Sequence, residues 1–169
     1  MKKACGLILS LLILFSVSSA GKGARFLHQP DISRELIAYI YAGDLWTVPV
    51  EGGTARRMTA HQGRESNPQF SPDGKWIAFS AEYDGNTDVY LIPSEGGLPK
   101  RLTYHPSPDI VQGWTPDGKS VFFKSGRTSQ NRKFSKLFTI GTDGSFPQEL
   151  AVPMAEFADW SPDGRFIAY

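Results

Sequence analysis

The chain has 169 residues, about one domain by length, and its formal charge of +1 argues against nucleic acid or another polyanion as the main partner. Hydrophobic residues make up 40% and charged residues 21%, an ordinary globular balance that excludes a disordered or collagen-like chain. Seventeen Gly and 12 Pro stand beside 12% aromatics, so turns between strands are expected rather than disorder.

The first 20 residues read as a secretory signal peptide. Lys2 and Lys3 form a positive start, Leu7 to Val17 is an apolar run, and Ser18 to Ala20 supplies small residues before a cleavage point. The run is shorter than the ~20 residues that span a bilayer, so no membrane association is expected after cleavage. Cys5 is the only cysteine and precedes the apolar run, which argues against a lipid anchor. Cleavage removes it, together with two lysines. The mature chain then has 16 basic and 17 acidic residues, no thiol and no disulfide. An exported chain without disulfides depends on a packed core, and the expected location is periplasmic or extracellular.

After residue 25 the sequence repeats itself. "QPDISRELIAY" is a degenerate first copy of a phrase that returns as "QFSPDGKWIAF", "GWTPDGKSVFF" and "DWSPDGRFIAY". The PDG turns start at Pro72, Pro116 and Pro162. A second phrase keeps the same phase: "DLWTVPVEGGTARRMT" from Asp44, "DVYLIPSEGGLPKRLT" from Asp88 and "KLFTIGTDGSFPQELA" from Lys136. Two phrases in one register, repeating every ~45 residues with about four strands in each, predict an all-β propeller of four-stranded blades. Blades are expected over 25–61, 66–105 and 110–153, with a partial one over 157–169. That is about three and a half blades, an incomplete open arc. "WIAF" and "VYLI" are apolar at nearly every residue, which predicts strands covered on both faces. Blade faces left bare would invite association, so the chain reads as the N-terminal part of a longer protein.

The PDG phrase itself is read as a turn. Pro72 presets φ for a type I turn, Asp73 bonds local backbone and Gly74 takes the left-handed conformation that follows. Ser71, Asp73 and their copies are therefore structural. No G-x-S-x-G, HExxH, CxxC, P-loop or dinucleotide fingerprint occurs. No residue is assigned as catalytic, cofactor-binding or metal-binding, and no cofactor is expected. His61 and His105 share one repeat position, which favours a structural role, and with His28 they give no local metal pair. Asp84, Asn86, Asp88 and Glu95 have calcium-loop spacing, but Val89 stands where such a loop needs Gly, so a hairpin turn is preferred. The segment from Lys124 to Lys136 also contains Arg127, Arg132 and Lys133 and no acid. It reads as a solvated loop, with a positive rim for acidic peptide termini or a neighbouring domain as the alternative.

"GDLWTVPVEGG", "FSAEYDGNTDVYLIP", "RLTYHP", "GWTPDGK" and "PMAEFADWSPDG", in this order, resemble the tricorn protease family, within the wider group of TolB-like propellers. The resemblance implies an N-terminal propeller that filters peptide or protein substrates for PDZ-like and serine peptidase domains further along the same chain, with a homo-oligomer left open. It places the serine and its histidine partner downstream, so no catalytic residue is transferred to this sequence. The alternatives are a non-enzymatic TolB-like periplasmic scaffold that binds proteins, or the propeller of a prolyl-oligopeptidase-type hydrolase.

Overall fold

A computed structural model describes residues 27–129 and 134–169. The N-terminal residues read as a signal peptide, and Arg132 and Lys133 of the basic segment, lie outside the described residues. Fourteen strands and no helix occur among those described.

The first four strands are β1 (His28–Ile32), β2 (Leu36–Tyr41), β3 (Asp44–Pro49) and β4 (Arg56–Arg57). The next four are β5 (Glu65–Phe70), β6 (Trp76–Ala81), β7 (Asp88–Pro93) and β8 (Lys100–Arg101). A third set comprises β9 (Asp109–Trp114), β10 (Ser120–Ser125), β11 (Lys136–Gly141) and β12 (Gln148–Glu149). The last pair is β13 (Asp159–Trp160) and β14 (Ile167–Ala168). Each set of four forms one sheet with its strands in chain order, and β13 pairs with β14. Every pairing is antiparallel. Three blades and the first hairpin of a fourth therefore form an unclosed array.

Strand alternation explains the packing. Ile77 and Phe79 of β6 and Tyr90 and Ile92 of β7 meet Ala38, Ile40 and Leu45 of the first blade. Ala78, Val89 and Leu91, which alternate with them, meet Val111, Val121, Phe123 and Phe138 of the third. Strand neighbours point to opposite faces, and both faces of the middle blade are covered. That is why its central hairpin, β6 with β7, is apolar at nearly every position. Leu137 of β11 starts another core with Val152 and Ala155, against which Ile167 of β14 packs. The outer strands β4, β8 and β12 are two residues long, and β4 and β8 carry only Arg and Lys. Short charged outer strands resist pairing with another chain.

The PDG turns touch one another from blade to blade at one end of the array. Gly74 has φ +73, and its N–H donates to the Ser71 carbonyl at 2.8 Å, closing the expected turn. A Cβ on Gly118 would lie 3.5 Å from Pro72, and one on Gly164 would lie 3.5 Å from Pro116. The second and third turns thus rest their glycines on the proline of the turn before, while Gly74 faces Ser33. At the outer margin, Arg56 donates to the Ser94 carbonyl at 3.2 Å. Lys100, in the same place one blade on, donates to the Thr142 and Asp143 carbonyls at 2.9 and 3.0 Å.

Candidate functional site

Two regions concentrate polar groups: the inner strands β1, β5 and β9, which succeed one another from blade to blade, and the seams between blades at the end opposite the PDG turns.

In the first seam Arg57 pairs with Asp44 at 2.8 Å. Glu65, at the start of β5, is buried with no cation against it among the described residues. Its Oε2 accepts the Leu45 N–H at 2.5 Å and the Thr59 hydroxyl, and its Oε1 accepts the Tyr83 hydroxyl at 2.5 Å. Burial pushes the Glu65 carboxyl up and the Asp44 charge adds to this, while the three donors pull it down; the net direction is up. Burial, followed by the bond to Glu65, likewise raises the Tyr83 hydroxyl.

The second seam repeats the arrangement with other chemistry. Arg101 reaches Asp88 at 2.6 Å and Asp84 at 2.8 Å. Thr103 accepts the Val89 N–H at 2.9 Å, as Thr59 accepts that of Leu45 at 3.0 Å. Asp109 takes the place of Glu65, and Arg127 takes the place of Tyr83 at 2.5 Å from it. Arg127 also lies 5.1 Å over the Phe123 ring and 5.0 Å over Phe138. Burial raises the Asp88 carboxyl more than the Arg101 guanidinium lowers it.

The candidates weighed from the sequence fall into place. Ser71 donates to Asp73 at 2.6 Å and accepts the Trp76 N–H at 3.0 Å. Thr115 with Asp117, and Ser161 with Asp163, repeat the bond at 2.7 Å. These bonds hold the Asp73, Asp117 and Asp163 carboxyls below the usual range, with the hydroxyl the main cause. His61 Nδ1 accepts the Gly63 N–H and His105 Nδ1 accepts the Ser107 N–H, both at 3.0 Å. The two histidines thus do the same local turn-closing work. Asp84 and Glu95 lie beyond opposite ends of β7, and a six-residue strand spans roughly 20 Å, so the calcium-loop spacing does not converge. Arg101 holds Asp84 and Asp88, and no group of three His, Cys, Asp or Glu converges among the described residues. In the basic segment, Lys124 pairs with Glu156 at 2.9 Å, Arg127 with Asp109 and Lys136 with Glu149 at 2.5 Å. These three cations brace blade three, so its described part is a braced loop more than a free positive rim.

Sequence reasoning missed the Glu65–Tyr83 and Asp109–Arg127 pairs. The signal existed: aligning the repeats puts an acid at the start of β5 and β9, and Tyr83 and Arg127 two residues after β6 and β10. A cleft of about 970 Å³ opens over the first seam, lined among others by Asp44, Arg57, His61, Arg64 and Glu82.

Successive four-stranded meanders, packed face to face with their first strands innermost, define a β-propeller of the TolB-like kind. The chain belongs to the family described as the tricorn protease N-terminal beta propeller domain, which it matches over residues 24–169. It is similar to tricorn protease homolog 1 of Streptomyces coelicolor, with 35% identity over 64 residues, 38% of this chain and 6% of that protein. The crystal structure of the tricorn protease superposes with a TM-score of 0.72 and 26% identity, covering 82% of this chain and 14% of the other. TolB from Acinetobacter baumannii gives a TM-score of 0.68 and 25% identity, covering 84% of this chain and 37% of the other. The chain therefore spans only a small part of the length of its tricorn relatives.

Proposed function

We propose that this chain is the N-terminal propeller segment of an exported, tricorn-like serine peptidase, and that it gates or filters peptide substrates for a catalytic domain further along the polypeptide. The observation that carries the reading is the family match over residues 24–169. Its polar seams are consistent with a structural wall, because their charged groups pair within each blade and Glu65 of the second blade accepts the Leu45 N–H and the Thr59 hydroxyl of the first. Export rests on Lys2, Lys3, the apolar run to Val17 and the small residues to Ala20. The domain scheme is a cleaved leader over 1–20 followed by the propeller, with PDZ-like and peptidase domains of the same chain as partners. Among the described residues no helix is long and apolar enough to cross a membrane.

Selection by such a wall is steric: an extended peptide enters, while a folded protein does not. The test compares full-length protein with a version lacking residues 21–169, on peptides of graded length and on a folded protein. Removing the wall should widen the accepted length range while turnover of a tetrapeptide persists. An unchanged length profile would overturn the filter role. The likeness to TolB favours a second reading, a protein-binding scaffold. Absence of peptidase activity from the full-length protein on every peptide would support it.

A further inference from the structure

The innermost strand of a blade is an edge strand. Its outward N–H and C=O groups are a template for any extended chain that runs alongside. A conduit for extended peptides would be obstructed by such an edge, because each passing segment could add to it as a strand. In β5 the donors of this edge are taken. Its hydrogen bonds to β6 leave the N–H groups of Glu65, Asn67 and Phe70 facing the first blade. Glu65 N–H donates to the Gly43 carbonyl at 2.9 Å. Asn67 N–H donates to Gln29 Oε1 at 3.1 Å, and Phe70 N–H to Asp31 Oδ2 at 2.6 Å. Pro68, between them, has no N–H to offer.

The closure needs an irregular backbone. Gln29 and Asn67 have φ of +52 and +51, in the left-handed region, and each precedes a proline inside a bulge of its strand. Residues other than glycine rarely take that conformation, and the position before proline is restricted further. The bulges bring the two side chains together, and Gln29 Nε2 also donates to Asn67 Oδ1 at 3.3 Å. At the next seam the places equivalent to Glu65 and Asn67 are closed as well. Asp109 N–H donates to the Thr87 carbonyl at 2.8 Å and Val111 N–H to Ser80 Oγ at 2.8 Å. The Trp114 indole covers an acceptor, the Gln69 carbonyl, at 2.9 Å. At the Asn67 and Val111 position two different side chains, Gln29 and Ser80, thus give one outcome.

We infer that β5 presents a sealed donor edge in the inner lining: Gln29 and Asp31 cap its donors, so an extended peptide passes this strand without being held by strand addition. The passage of peptides rests on the function proposed above, but the seal can be read without any peptidase assay. In the full-length protein, hydrogen–deuterium exchange resolved within residues 64–71 should show the Glu65, Asn67 and Phe70 amides protected like their inward neighbours. Exchange of these three at the rate of unstructured amides would overturn the seal. Gln29→Ala and Asp31→Ala should speed Asn67 and Phe70 exchange, respectively, by about tenfold or more. Gln29→Glu and Asp31→Asn keep an acceptor and should not.

A fluorescent (Thr-Val)4 octapeptide, followed by anisotropy, reads the consequence. Wild-type protein should show no saturable binding up to about 1 mM, and the Gln29→Ala/Asp31→Ala variant should bind at least about tenfold more tightly. A wild-type protein that binds the octapeptide as tightly as this variant would overturn the inference. So would a variant whose Asn67 and Phe70 amides exchange quickly yet which gains no binding. Failure of the filter role would leave the exchange result standing, so the two ideas fail separately.

Discussion

The Tyr83 hydroxyl donates to the Glu65 carboxyl across 2.5 Å, in the place where the next blade sets Arg127 against Asp109 at the same distance. One repeat position thus holds a neutral donor in one seam and a permanent cation in the next. The acid is buried in both cases. In the second seam the guanidinium compensates the carboxylate. In the first, only hydrogen bonds do so, and they do not fully offset the loss of hydration.

This difference predicts a pH dependence. Because the folded protein raises the Glu65 carboxyl, its stabilising contribution is full below the ordinary carboxyl value and is lost as pH rises through the raised one. Glu65→Gln keeps an acceptor for Leu45 and Thr59 and a partner for Tyr83, without the charge. Relative to wild type, this variant should therefore become more stable as pH rises from about 4 to 8. Urea unfolding at both pH values checks it. A parallel pH dependence in the two proteins would contradict the assignment.

Arg127→Ala should be among the more damaging single changes. It leaves the Asp109 carboxylate buried without its cation, and Asp109 Oδ1 already lacks a partner among the described residues. Removing one member of a buried ion pair costs about 3–5 kcal/mol. Asp109→Asn added to Arg127→Ala should recover part of that loss, because the uncompensated charge is then gone. Chemical denaturation of the wild type, the single variant and the double variant tests this.

Gly63→Ala should destabilise for a steric reason. A Cβ there would lie 1.9 Å from the Glu82 carbonyl oxygen, and backbone cannot swing aside as a side-chain tip can. The contact fixes the link between the first two blades, where the His61 ring lies 4.0 Å from that of Tyr83. Overpacking of this kind costs roughly 1–3 kcal/mol. Gly126→Ala meets nothing within 4 Å and should leave the melting temperature nearly unchanged.

Ser71→Ala tests the structural reading of the PDG turn. It removes the acceptor for the Trp76 N–H and the donor to Asp73 in a buried position. A loss of about 0.5–1.5 kcal/mol is expected, with no change in the length range of peptides cleaved by the full-length protein. A shift in that range without a loss of stability would instead make the turn a substrate contact.

Much of this molecule was legible along the chain because its information is local. Proline, aspartate and glycine in succession specify a turn through φ preferences and a side-chain bond, and the turn recurs in one register. Apolar residues at consecutive positions of "WIAF" and "VYLI" announced strands covered on both sides, and the two cores that divide Ala78 from Ile77 and Phe79 are that cover. A structural role for His61 and His105 was also readable from their shared repeat position, whereas the local bonds of their Nδ1 atoms were not.

The seams were not readable in the same way. Glu65 meets Tyr83 18 residues later and Leu45 20 residues earlier, and Asn67 meets Gln29 across 38 residues. The Glu65–Leu45 and Asn67–Gln29 bonds form only when two blades dock, and their energetics depend on how much water the docking removes. The repeats show which positions correspond. How deeply a corresponding acid is buried, and whether an inner strand keeps or loses its free donors, follows from the packing of one sheet against the next.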